Sequence, residues 1–470
     1  MRARGALAGL LALAAGCVAY HPAPVDRSVA PASYAARTLD DAGVRAWVDS
    51  LAGPIADQAP WTDAQLVVAA LGLRPELDVA RAELRTSRAG LVTAGQRPQP
   101  GLATDLERRV SGVDQGGPWV VTLAPQLIVE LGGKRAARRE LAFARVAEQE
   151  FALREQAYGV VAEVRTVAAD LRGTTAQLAA LASARTALAS ALAALERRVD
   201  AGSAGTTDLA RARADVQGVA VEVAAARRVV QERQAALAAA LGVPVPAVRE
   251  LQLSGDPRVG CDWLRRAGVR GGDSVALEHR YPVGGALAAY AVADAALKLE
   301  VARQYPDLQL GPGFTFDQAT NRFVLGLGLP TVSFNRNRGP IGEASALRER
   351  AAAVVATAQE QVLATVSAAR AGCDRAATEA AAADSLIGAA DSTLALMERA
   401  YDRGERGALD VVLARVGRAR AAITRTESVG RLRRADVDAE LSAGVWLDGA
   451  PRRWPDPATP SPLRPVLITP

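Results

Sequence analysis

Asp200–Arg213 reads DAGSAGTTDLARAR, and Asp402–Arg415 reads DRGERGALDVVLAR, so Asp, Gly, Gly, Asp, Ala and Arg recur at one offset of 202 residues. Glycine permits a tight reversal of the chain, and the residues on either side say what is being reversed. Leu171, Leu178, Leu181, Leu188, Leu192, Leu195 and Val199 lead into the first turn at a/d spacing, and Leu209, Val216, Val223, Val230 and Leu237 leave it at seven-residue intervals. Heptads on both sides of a short turn specify an antiparallel coiled-coil hairpin. In the second copy Ile387, Leu394 and Tyr401 lead in, and Leu409, Val416 and Ile423 lead out. A continuous helix from Lys134 to Val199 would be about 100 Å long at roughly 1.5 Å per residue.

The echo extends upstream. Leu131–Arg135 (LGGKR) falls opposite Phe334–Arg338 (FNRNR), each behind an apolar run that contains a proline, Pro125 and Pro330. Arg74–Leu77 falls opposite His279–Pro282. Two diverged copies are therefore expected over 62–245 and 276–446, separated by an irregular Gly/Pro/Arg-rich linker at 246–275. Each copy carries a strand pair, 101–110 with 118–129 and 307–317 with 322–333. In the second pair Leu308, Leu310, Phe314 and Phe316 alternate with Gln309, Thr315 and Asp317, and Phe323, Leu325, Leu327 and Leu329 alternate with Val324, Gly326 and Gly328. Ten-residue strands with one apolar and one small or polar face match membrane-barrel strands. Four strands close no barrel, since outer-membrane barrels begin at about eight, and open edges in lipid leave backbone groups unpaired. Strands of this kind require several chains to pool them.

Composition agrees with long thin helices. Half of the 470 residues are apolar but only 4% are aromatic, and the formal charge of +5 is spread without a dense Lys/Arg block, so nucleic acid is not an expected partner. The two histidines, His21 and His279, sit in no ligand-like cluster, so neither a metal site nor a cofactor is expected, and no catalytic constellation stands out. Gly132-Gly-Lys134 fails as a phosphate loop, because Ile128 stands where a glycine is needed and Arg135 where a Ser or Thr is needed. Its expected job is to start a helix.

At the N-terminus Arg2 and Arg4 precede a short apolar run, Gly5–Gly16, with the layout of an export signal over 1–16. Leu13-Ala-Ala-Gly-Cys17 resembles a lipoprotein cleavage box, with Ala14 in place of leucine, so lipidation of Cys17 is expected. Residues 17–60 read as a lipidated, extended Pro/Ala-rich segment and 447–470 as a Pro-rich tail. Cys261 and Cys373 remain; an oxidising compartment permits a disulfide between them, and sequence alone does not decide between that and two unpaired, buried thiols.

This combination resembles the TolC family of outer-membrane efflux channels over about residues 60–446. Pro125–Arg138 (PQLIVELGGKRAAR) and Leu329–Gly339 (LPTVSFNRNRG) are similar to its heavy-metal, cobalt–zinc–cadmium branch. The resemblance implies a TolC-like fold, mainly α with a membrane β part. It implies a homotrimer whose twelve strands form one barrel in outer-membrane lipid and whose helices form a periplasmic tunnel. It also implies an equatorial band from the linker and C-terminal region, and a passive efflux duct for heavy-metal cations or drugs that works with a periplasmic adaptor and an inner-membrane pump. Carried onto this sequence, Gly202, Gly205 and Asp208 are the adaptor-contact tip, and Tyr401, Gly404, Arg406 and Asp410 the periplasmic gate. Threefold symmetry would turn one Asp into a ring of charge, with Tyr401 and Arg406 latching neighbouring hairpins. Leu413 stands where some members carry a second acid. Asp208 and Asp410 equally suit helix N-capping. The rival reading is a lipid-anchored periplasmic coiled-coil adaptor or scaffold, which would show one hairpin between small β domains.

Overall fold

The computed structural model describes residues 20–56, 59–111, 117–255, 272–317, 320–328, 335–446 and 450–463. The signal segment, Cys17, Cys261, most of the linker and residues 329–334 lie outside the described residues.

Helices dominate, and two hairpins of nearly equal dimensions organise them. In the first, α5 (Lys134–Asp200) turns into α6 (Thr206–Leu241); in the second, α9 (Arg338–Asp402) turns into α10 (Ala408–Ala443). Ahead of α5 come α1 (Val29–Ala35), α2 (Ala42–Ala52), α3 (Asp63–Leu73) and α4 (Glu76–Gly95), and ahead of α9 come α7 (Gly272–His279) and α8 (Tyr281–Ala302). Both return helices have 36 residues and end at a left-handed glycine, Gly242 and Gly444, each at φ +72°. The apolar seam is as the heptads specify: Leu171, Leu181, Leu188, Leu195, Val223 and Leu237 are buried. At Leu188 the seam is three helices deep, since Val216 and Val219 of α6 and Val412 and Val416 of α10 pack around it. Higher up, α5 and α10 cross backbone to backbone. A Cβ added at Gly173 would lie 3.6 Å from the Cα of Gly430.

Four strands form one antiparallel sheet in the order β1-β2-β3-β4, with β1 Gly101–Arg108, β2 Trp119–Val129, β3 Leu308–Asp317 and β4 Thr320–Gly328. The β2–β3 ladder (Val121 opposite Phe316, Leu123 opposite Phe314, Leu127 opposite Leu310) joins the two copies into one surface. Pro125 and Pro312 both fall in the interval where that ladder skips, so two missing donors share one gap. The order leaves β1 and β4 as open edges.

Each strand pair feeds its long helix through two left-handed residues. In the first copy these are Gly132 and Gly133, and in the second Arg336 and Asn337. Glycine is obligatory at 132, because a Cβ there would meet Tyr305 at 2.5 Å. The LGGKR stretch is thus a strand-to-helix junction, with Gly133 the N-cap of α5 and Lys134 paired to Asp307 at 2.7 Å.

The N-terminal segment corrects the sequence reading. It is not extended throughout but folds into α1 and α2, with Val44, Val48 and Leu51 buried. Asp41 caps α2 by accepting from the N–H groups of Gly43 and Val44. These residues join α3, Val164 of α5 and Leu237 and Leu241 of α6 in the largest apolar core. The C-terminal stretch is equally docked: Arg453 N–H donates to Leu51 O at 2.9 Å, and Ser461 Oγ to Gly72 O at 2.6 Å. An equatorial belt thereby gathers N-terminal, linker and C-terminal residues, with Trp61 bridged to Leu253. Cys373 is buried and disulfide-bonded, one of the two states that the sequence leaves open.

The exposed surface is 28061 Å², against roughly 17,000 Å² for a compact monomer of this mass. Such a chain is far from self-contained.

Candidate functional site: two hairpin tips and an amphipathic sheet

The two tips share the same backbone turn at the end of the incoming helix. In the first, Gly202 N–H donates to Val199 O at 2.9 Å and Ser203 N–H to Arg198 O at 2.8 Å; in the second, Gly404 N–H donates to Tyr401 O and Glu405 N–H to Ala400 O, both at 2.8 Å. This is the Schellman arrangement, which needs a left-handed residue just past the helix. Gly202 and Gly404 supply it at φ +68° and +71°. Gly205 and Gly407 are the N-caps of the return helices, with ordinary negative φ. Gly407, part of the repeated turn but not among the gate candidates, is therefore as much part of the motif as Gly205.

Among the gate candidates, Tyr401 is 48% exposed, and neither its hydroxyl nor the exposed Arg406 has a partner among the described residues. Asp410 is half-buried and accepts from Gly407 N–H at 3.1 Å through Oδ2. It caps the helix from its third position, and its own N–H donates to Gly407 O. Asp208 occupies the same place in α6 but is exposed and makes no such bond, so it is the freer carboxylate. Leu413 is exposed. Sequence reasoning also missed Arg403 and Glu405, which form a two-pronged ion pair at 2.7 and 2.8 Å on the second tip. That hydrogen bond from Arg403 holds the Glu405 carboxyl below its ordinary range.

One residue pair braces both tips. Arg213 meets Glu196 at 3.2 Å in the first hairpin, and Arg415 meets Glu398 at 2.9 Å at the same offset in the second. Above it the hairpins diverge. The second continues with Arg418–Asp391, Arg425–Asp384 and Arg431–Glu379, where the first has Val216, Val223 and Val229 opposite Ala189, Ala182 and Gln177.

At the other end, the ladder registers place Leu102, Leu106, Trp119, Leu123, Leu127, Leu308, Leu310, Phe314, Phe316, Phe323, Leu325 and Leu327 on one sheet face. Most of these are exposed, and Phe314 and Phe323 stack edge to face at 5.3 Å. The opposite face carries Asp105, Glu107, Gln126, Gln309 and Arg322, a Thr122–Thr315 hydroxyl pair at 3.1 Å, and Asp317 held by Arg109 and Arg322.

Paired hairpins with leading helices about 100 Å long, crowned by a two-faced sheet with open edges, make up a TolC-like fold. Residues 66–243 match the model of the family described as outer membrane efflux protein. The chain is 27% identical to the cobalt-zinc-cadmium resistance protein CzcC of Cupriavidus metallidurans, over 57% of this chain; the matched stretch spans 62% of that relative. Among solved structures it shares its fold with VceC of Vibrio cholerae, an outer membrane protein (TM-score 0.64, 19% identity, 82% of this chain and 96% of that one). It shares it also with CusC (TM-score 0.65, 16% identity, 92% and 98%), whose structures concern transmembrane channel formation.

Proposed function

We propose that this chain is one protomer of a homotrimeric outer-membrane channel, the exit duct of a tripartite efflux system completed by a periplasmic adaptor and an inner-membrane pump. The observation that carries this reading is the sheet. Its continuous exposed apolar face suits lipid, its polar face suits water, and its two open edges are tolerable in a bilayer only if other copies pair with them. Three chains would pool twelve strands. The duct is passive, with outer-membrane lipid around the barrel and the helical hairpins reaching into the periplasm. The two strand-pair-plus-hairpin repeats support a pseudo-sixfold tunnel wall, and Cys17 would carry the lipid anchor.

In this reading Gly202, Gly205 and Asp208 form the steadier adaptor contact. Tyr401, Gly404, Arg406 and Asp410 form the gate, because Tyr401 and Arg406 have free polar groups to offer a neighbouring hairpin. Asp410 keeps Oδ1 available beyond its capping bond, and three copies would present a cation-attracting ring. Heavy-metal cations are favoured over drugs as cargo by the likeness to a cobalt-zinc-cadmium resistance protein.

Reconstitution into planar bilayers tests the reading. Purified protein should insert as a trimer with stepwise conductance, and divalent cations on the periplasmic side should block it less in Asp410→Ala. A monomer that opens no conductance would reject the channel, and unchanged block would remove Asp410 from the constriction. Mass spectrometry of the N-terminal peptide should find Cys17 acylated; an unmodified thiol would reject the anchor.

A further inference from the structure

A cavity of about 280 Å³ lies in the equatorial belt, away from tips and sheet, and neither hairpin nor strand chemistry accounts for it. Its floor is α5 (Arg154, Tyr158, Arg165), its side the start of α8 (Tyr281), and its roof the C-terminal segment (Trp446, Trp454). The roof is tied down from outside: Arg81 Nε donates to Pro457 O at 2.8 Å, and Trp446 and Trp454 meet edge to face at 5.7 Å.

The lining is apolar and aromatic with guanidinium groups at fixed points. Tyr158 and Tyr281 meet edge to face at 5.7 Å, the Tyr158 hydroxyl donates to Leu441 O at 2.6 Å, and the Arg280 guanidinium lies 5.4 Å over one face of the Tyr158 ring. Arg165 is 5% exposed, pairs with Glu440 through Nη2 and lies 4.3 Å over the Trp446 ring. Its Nε and Nη1 are buried with no acceptor, an uncommon state for a buried donor in a folded protein. Arg81 is paired with Asp78 at 2.7 Å. Arg154, exposed at the rim, has only the Phe151 ring at 5.8 Å and no carboxylate among the described residues. Of three arginines around the cavity, two are thus neutralised and one is not.

We infer that this cavity is a binding site for a small amphiphilic monoanion, a carboxylate with one aromatic ring or a medium-length alkyl chain. The carboxylate sits toward Arg154 at the rim, and the apolar body lies among Tyr158, Tyr281, Trp446 and Trp454. The charge balance calls for a single negative charge. The volume fits one substituted ring, since an apolar cavity of about 150 Å³ already holds benzene, and mostly apolar lining with few polar points is the usual make-up of small-molecule sites. Because the roof is the C-terminal segment, occupancy also clamps that segment onto α5 and the equatorial core.

The test uses the full-length protein in a neutral detergent, with sodium benzoate and sodium octanoate as probes and benzyl alcohol and octanol as uncharged counterparts. Tryptophan fluorescence and the thermal midpoint are read together. Saturable quenching and a raised midpoint are expected with the carboxylates, and at least tenfold weaker binding with the alcohols. Binding of benzoate alone assigns a free aromatic acid as the ligand, and binding of octanoate alone assigns a lipid-derived acid. Arg154→Gln, an exposed position, should weaken carboxylate binding about tenfold, and Ala157→Phe should fill the space and abolish it at unchanged helicity and oligomer size. Absence of saturable binding, equal binding of acids and alcohols, or an unaffected Arg154→Gln would each overturn the inference.

Discussion

The two hairpins share a turn, a brace and a length, yet the edges of their seams are made of different residues. The first is held by valines against alanine and leucine, with Val223 only 2% exposed. The second replaces three of those positions with Arg418, Arg425 and Arg431, each reaching an acid across the seam with both partners about half exposed. Apolar burial holds steadily and ignores salt. Exposed ion pairs are worth about 0–1 kcal/mol each and are screened by salt. Both hairpins keep a buried apolar seam, the second through Cys373, Ala376, Ala380 and Leu432, but only the second adds this run of salt-sensitive pairs beside it. This difference favours the second hairpin as the moving element.

The largest expected effect lies in the first hairpin. Val223→Asp buries an unpaired carboxylate and should cost about 3 kcal/mol or more, seen as loss of protease resistance in α5 and α6. The equivalent change in the second hairpin, Arg425→Val, should cost less than about 1 kcal/mol; equal losses would erase the distinction. Next come the turns. Gly202→Ala and Gly404→Ala each force a side chain into left-handed backbone and should each cost about 1–2 kcal/mol, by thermal denaturation followed by circular dichroism. A large inequality would mean that the tips are not the same motif. The smallest effect concerns pH. Because Arg403 depresses the pKa of Glu405, their pair is present above the ordinary glutamate range and is lost as pH falls through the lowered value. NMR titration should find that midpoint below the ordinary glutamate value, and Arg403→Gln should restore it.

Much of this plan was legible in sequence. The glycine turns, heptads and period-two strands are local signals, and two hairpins and four strands carry them, the last strand running over Thr320–Gly328 where 322–333 was expected. What escaped depends on residues far apart in the chain. Arg431 and Glu379 are unremarkable until two antiparallel helices bring them to 2.9 Å. The helices α1 and α2 are short and Pro/Ala-flanked, and they dock through distant partners: the Tyr34 hydroxyl of α1 donates to Val243 O, and Arg453 N–H donates to Leu51 O of α2. The Asp41 cap, followed by Val44, Val48 and Leu51 at helical spacing, was nevertheless a readable clue to α2. Tip roles for single residues stayed out of reach, because Asp208 and Asp410 look alike in sequence and differ only in whether the carboxylate turns back to the N-cap.

Amide hydrogen exchange on the assembled protein, with salt raised from about 0.1 M to 1 M to shrink the screening length from roughly 10 Å to 3 Å, compares the hairpins directly. Protection should fall across residues 379–431 of the second hairpin and hold across 177–229 of the first. Equal loss in both, or loss in the first alone, would contradict the assignment of the second hairpin as the movable one.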